Sequence, residues 1–117
     1  MTEKQTLAHV SADLTGIGSG ALRDSSLLSG LLIAAAGAAG LSAVASPVVH
    51  VAPDGSVSAL LLVAPCHLSI HTFPQQRLAL VDVIAREASS ATKALDVFVR
   101  RLVPTAVASE SRMRGTT

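Results

Sequence analysis

Apolar and polar positions change period several times along the chain, and each change predicts an element. From Thr6 to Leu14 the pattern alternates. Ala8, Val10, Ala12 and Leu14 fall on one side and His9, Ser11 and Asp13 on the other, with Leu7 breaking the polar side at its start. Period two predicts a first strand with one face buried. Thr15–Gly20 (T-G-I-G-S-G) is a turn by its glycine density. It lacks both the closing glycine of a dinucleotide fingerprint and a following Lys-Ser/Thr. Asp24 or Ser25 is placed to cap a helix in which Leu27, Leu28, Leu31, Leu32 and Ala35 form one stripe, and Gly40 ends it after Ala39.

Leu41–Val51 is strand-like, and Pro47 assigns it to an edge or a bulge. Ala52–Ser56 (A-P-D-G-S) predicts a turn, because Pro presets φ and Gly supplies a positive one. Val57–Val63 is apolar except at Ser58, which predicts a central strand. Pro65 interrupts it, Leu68–Thr72 resumes extended structure, Phe73–Gln76 turns, and Leu78–Ala85 is a further apolar strand with Asp82 in its middle. Ser89 or Ser90 begins a helix to about Arg101, with Ala94, Leu95, Phe98 and Leu102 inward and Lys93, Arg100 and Arg101 outward. Pro104 ends it. Thr105–Ser109 adds a short strand, and residues 1–5 and 110–117 are expected to fray. The order predicts an α+β fold, a two-layer sandwich in which an antiparallel sheet is covered on one face by two helices.

A chain of 117 residues fits a single domain, 1–117. Half its residues are hydrophobic, yet Phe73 and Phe98 are the only aromatic ones, so the core must be built from Leu, Val, Ile and Ala. Small side chains bury little area each, which points to association through a face of the domain. A net charge of +1 and the shortage of aromatic rings argue against nucleic acid as a partner. One cysteine excludes an intrachain disulfide and fits a reducing compartment, and M-T-E-K-Q-T lacks the order of a secretory signal, so a cytoplasmic location is expected. Leu27–Ala45 is long enough to cross a bilayer. Its Ala, Gly and Ser are weak insertion drivers, however, and it lacks aromatic or basic flanks, so a helix buried against the sheet is expected and no membrane span.

The chemistry concentrates in Ala64–Arg86, which holds Cys66, His67, Ser69, His71, Thr72 and Phe73. A cysteine acts as a nucleophile only as thiolate, which requires a neighbouring base or positive charge. In a regular strand His67, Ser69 and His71 share one face and Cys66 the other, so only a distortion at Pro65–His67 brings Cys66 round to His71. A buried, inert cysteine beside hydrogen-bonded or exposed histidines fits the same letters. No metal site is expected, since adjacent Cys and His rarely point together. His50 sits among valines as a core-edge histidine, and Asp82 needs a partner if it is buried.

C-H-L-S-I-H-T-F-P followed by L-A-L-V-D-V resembles the signature of the prokaryotic S-adenosylmethionine decarboxylases, E-S-H-I-S-I-H-T-W-P-E and then A-A-V-D-V-F-T-C-G. The order of strands and helices from Leu7 to Leu102 fits as well. The resemblance implies a proenzyme that cleaves itself before the serine of E-S-H and leaves a pyruvoyl group, which captures a substrate amine and accepts electrons as carbon dioxide leaves. It also implies a homodimer with sites near the subunit interface. His67, Ser69, His71, Thr72 and Pro74 match the motif. His71 corresponds to the histidine that assists processing, and Ser69 lies in the hydroxyl-bearing strand beside it.

The departures fall on the chemistry. Cys66 stands for the pyruvoyl-forming serine, Pro65 for the preceding glutamate, Phe73 for the tryptophan, Gln75 for the acidic residue after the proline and Arg86 for the catalytic cysteine. Cys66 retains a nucleophile for the first step, and Arg86, always charged, offers carboxylate recognition in place of proton donation. The expected site is therefore Cys66, Ser69 and His71 for catalysis, with Arg86, Phe73 and His67 toward an amine or amino-acid-type substrate. Three readings stay open: a pyruvoyl decarboxylase of polyamine metabolism matured at Cys66, an unprocessed relative that binds a small molecule or uses the intact thiol, and a non-catalytic structural or regulatory member.

Overall fold

The computed structural model describes residues 4–116. The expected fraying of residues 1–3 and 117 lies outside the described residues. Strands β1 (Thr6–Thr15), β2 (Ser42–Ala43), β3 (Val48–Val51), β4 (Val57–Ala64), β5 (His67–Phe73), β6 (Leu78–Ala85) and β7 (Ala106–Gly115) form one sheet, antiparallel at every pairing. Across it the order is β4-β5-β6-β1-β7, with β2 and β3 both on the outer side of β4. Two longer helices, α2 (Ser25–Ala38) and α3 (Ala88–Leu102), follow the short α1 (Ser19–Leu22) and cover one face. This is the α+β two-layer arrangement that the periodicity predicts.

The alternation in β1 decides which face is covered. Ala8, Val10, Ala12 and Leu14 are buried, and in register with them lie Ala85, Val83, Val81 and Ala79 of β6. Leu28, Leu31 and Leu32 of α2 and Phe98 of α3 close over this layer, and Phe98 is fully buried. Removing a Phe side chain from water is worth about 2–3 kcal/mol, so the single core aromatic is a major anchor of α3. No helix among the described residues is long and apolar enough to cross a membrane. The apolar run after Ser25 is spent on α2 and on the two short strands that follow it.

The caps explain where the helices stop. Asp24 accepts the Leu27 N–H at 3.0 Å, satisfying one of the free donors of the first turn. At the other end Gly40 has φ +71, Leu41 N–H reaches the Ala36 carbonyl and Gly40 N–H that of Gly37, so orphan carbonyls are bonded and the chain turns back. The Thr15–Gly20 loop is a packed corner. The Arg77 guanidinium donates to the carbonyls of Ile17 (3.0 Å) and Gly16 (3.4 Å), Ile17 N–H returns a bond to the Arg77 carbonyl, and Ile17 is fully buried.

Three expectations need correction. Leu41–Val51 is two short strands instead of one, because Pro47 breaks the run and leaves both pieces on the sheet edge. The second helix begins at Ala88 with Glu87 as its cap position, ahead of the serines. In place of a short strand and a frayed tail from residue 110, β7 continues to Gly115, held against β1 over its whole length. All ten residues of β7 are exposed, so hydropathy carried no signal for it; backbone pairing along β1 holds it.

Candidate active site

The sheet face away from the helices carries the chemistry. In register across it lie His50, Ser58, His71, Leu80 and Asp13 in one row, and Leu60, Ser69, Asp82, Ser11 and Glu110 in the next. Opposed residues of an antiparallel pair share a face, so His67, Ser69, His71 and Phe73 all point away from the helices while Leu68, Ile70 and Thr72 point into the core. Thr72 fixes β5 from below. Its buried hydroxyl donates to the Leu22 carbonyl at 2.7 Å and accepts the Val57 N–H at 2.8 Å, tying β5 to β4 and to the end of α1.

Cys66 sits in the tight connection between β4 and β5. The Ala64–Pro65 peptide is cis, Cys66 has φ +78, and Val63 N–H bonds the Cys66 carbonyl at 3.0 Å. A residue with a Cβ seldom adopts a left-handed φ, and doing so costs about 1–2 kcal/mol, so backbone strain is concentrated at Cys66. The turn takes Cys66 out of strand alternation. It lines a cleft of about 250 Å³ together with Gln5, Leu7, Ile84, Arg114 and Gly115.

The histidines do not gather around this thiol. Four strand positions separate His67 from His71, on the order of 13 Å at the usual rise, and Cys66 lies beyond His67. His71 Nδ1 is 2.9 Å from the Ser58 hydroxyl instead. His67 is half-buried at the start of β5 opposite Leu62, and Ser69 is buried between Leu60 and Asp82. Phe73 is partly exposed at the far end of β5. Arg86 is exposed just past β6 and does not line the Cys66 cleft; the guanidinium there belongs to Arg114.

Two functional candidates were missed by sequence reasoning. Ser58 had a signal, as the one polar residue in an apolar strand. Arg114 has none, because it lies in a polar segment that reads as a tail. A connected polar line runs from the cleft across the face. Arg114 donates to His9 Nδ1 at 3.4 Å, and since a guanidinium has only donors, the ring proton sits on Nε2 and is donated to Asp82 at 3.0 Å. Asp82 is not the buried acid that would require a partner: it is partly exposed on the open sheet face, and it is nonetheless paired with His9. Among the described residues no three His, Cys, Asp or Glu side chains converge as a metal site.

Comparison with known proteins gives the family of this fold. Residues 8–115 match the family model of S-adenosylmethionine decarboxylase. The S-adenosylmethionine decarboxylase proenzyme of Aquifex aeolicus is 32% identical over 108 residues, covering 92% of this chain and 79% of that protein. The proenzyme of Picrophilus torridus is 31% identical over 108 residues, covering 92% and 82%. The crystal structure of the Aquifex aeolicus adenosylmethionine decarboxylase superposes with a TM-score of 0.89 at 28% identity, over 98% of this chain and 95% of that one. With a family-model match over residues 8–115 and a shared fold over nearly the whole chain, the chain belongs to the S-adenosylmethionine decarboxylase family.

Proposed function

We propose that this protein is a pyruvoyl-dependent decarboxylase of an amino-acid-type substrate, S-adenosylmethionine or a close analogue in polyamine synthesis, and that it matures by cleaving its own Pro65–Cys66 bond. The observation that carries this reading is the left-handed φ of Cys66 in a tight turn beside an open cleft. Strain of this kind at a scissile peptide raises the ground state on the way to a distorted one. The residues fit the group: Cys66 has the Cβ that would become the pyruvoyl methyl and a sulfur on the residue that directly follows the Pro65 carbonyl. The thiol attacks that carbonyl, the Cys66 nitrogen leaves as an amine, and a thioester forms. Loss of the Cα proton then breaks the Cβ–S bond, releasing Pro65 as a thiocarboxylate, and water replaces the nitrogen as ammonia. When present, the pyruvoyl carbonyl supplies an electron sink for decarboxylation. Arg114 supplies a cation to the cleft, and Leu7 and Ile84 give it apolar walls.

The base for the elimination comes from a second copy in this account. His71 with Ser58 lies too far along β5 to serve its own Cys66, and the bare sheet face carries Leu60, Leu62, Leu80 and Ile84, of which Leu62 is 48% exposed. A two-fold axis between two stacked sheets, crossing β5 near Ser69, covers these residues and sets the partner's His71 against Cys66. The test is complementation. Mixed Cys66→Ala and His71→Ala chains should regain cleavage, in the His71→Ala chain alone. Failure to regain it, with each single variant folded, refutes the shared site.

A second reading is favoured by one observation: within one chain no imidazole is bonded to Cys66, which is half-buried against Leu7 and Ile84. On that reading the chain stays whole and binds a small amine or amino acid through the cleft. Decarboxylation of S-adenosylmethionine by purified protein, abolished by a carbonyl-trapping reductant, separates the two.

A further inference from the structure

We propose that the outer edge of β7 is a second self-association surface, on which two copies pair antiparallel about Ser111. The two sheet edges are built differently. On one side β2 and β3 are only two and four residues long and Pro47 separates them, which blunts that edge. On the other, β7 runs ten residues without proline, its register against β1 is unbroken, and no described strand covers its outer side. A long, straight, uncovered edge presents a row of free N–H and C=O groups.

Those groups have a definite phase. Thr116 N–H donates to the Gln5 carbonyl, so, with the alternation of an antiparallel ladder, the even-numbered residues of β7 turn their backbone groups toward β1. The odd-numbered residues have the opposite phase, and Val107, Ser109, Ser111 and Met113 turn theirs outward. A two-fold axis through Ser111 satisfies this phase, since it pairs Ser111 with the partner's Ser111 and Ser109 with the partner's Met113, all outward-facing. The same register places Glu110 opposite the partner's Arg112 and Arg112 opposite the partner's Glu110. Glu110 and Arg112 share the face of Ser11 and His9, so both pairs lie on one surface. Backbone phase and charge complementarity select the same axis independently. The proposal does not rest on the decarboxylase reading, and the edge is distinct from the open sheet face.

The test is a charge swap read by light-scattering mass and sedimentation. Glu110→Arg and Arg112→Glu should each weaken assembly roughly tenfold or more, because each puts two like-charged pairs across the strands. The double variant E110R/R112E should restore it. Ser111→Pro removes an outward N–H and should halve the assembly mass, whether the wild type is a dimer or a tetramer built on the stacked faces, while the circular dichroism of the helices is unchanged. Ser111→Cys in a Cys66→Ser background should cross-link to itself under oxidation. Ser109→Cys should not, being about 14 Å from its own copy in this register. A double swap no better than the single ones, a Ser111→Pro mass equal to wild type, or cross-linking at Ser109 in preference to Ser111 overturns the proposal.

Discussion

His71 Nδ1 and the Ser58 hydroxyl meet at 2.9 Å across the β4–β5 ladder, on the sheet face that the helices leave bare. A hydroxyl bonded to an imidazole is a proton-handling pair, and here it stands several strand positions away from the thiol of its own chain, which leaves it to serve the thiol of a second copy. Removing either partner should therefore slow maturation and leave folding untouched. Ser58→Ala and His71→Ala are expected to reduce the rate of Pro65–Cys66 cleavage by roughly 10²–10⁴-fold, followed by electrophoresis of freshly purified protein. Because His71 is exposed, the thermal midpoint of the His71→Ala protein should stay at the wild-type value.

Cys66 separates strain from chemistry. Cys66→Gly fits φ +78 without a Cβ and should raise stability by about 1 kcal/mol in urea unfolding, while abolishing cleavage. Cys66→Ser keeps a nucleophile in the same backbone and should still cleave, through an ester.

Thr72 tests the support beneath the motif. Its hydroxyl serves the Val57 N–H and the Leu22 carbonyl, both buried. Thr72→Val keeps the shape and orphans both groups, so a loss of about 1–3 kcal/mol is expected in chemical denaturation.

Asp54 gives the turn between β3 and β4 a pH dependence of known sign. The Ser56 backbone N–H, 2.9 Å from its carboxylate, holds the Asp54 carboxyl below its ordinary value of 3.8. A group depressed on folding stabilises above its unfolded value, and the contribution fades as pH falls from there through the folded one. The thermal midpoint of wild type should thus decline in that acidic window relative to Asp54→Asn, and the two should run parallel above it. The effect is small, because the group is exposed.

Much of the fold was legible because the covered face writes itself in period two. Ala8 to Leu14 shows which side of the sheet is buried, and the Leu27–Ala35 stripe shows what buries it. Asp24 and Gly40 mark the ends of α2 by capping chemistry that is local in sequence. β7 escaped because a strand exposed on both faces has no hydropathic signature, and its pairing partner is about a hundred residues away.

The site was half legible for the same reason. Cys66, His67, Ser69 and His71 are visible as a cluster of letters, but the turn at Pro65 and the rise along β5 pull them apart. Their actual neighbours are Ser58, one strand back, and Arg114, at the far end of the chain.

The measurement that bears most directly on the maturation claim is the intact mass of purified protein under denaturing conditions. Cleavage predicts two polypeptides, the second starting at residue 66 with a pyruvoyl group and adding one amine after reductive trapping. A single full-length mass, unchanged on prolonged incubation and inert to that trapping, would contradict it and leave an unprocessed member of the family.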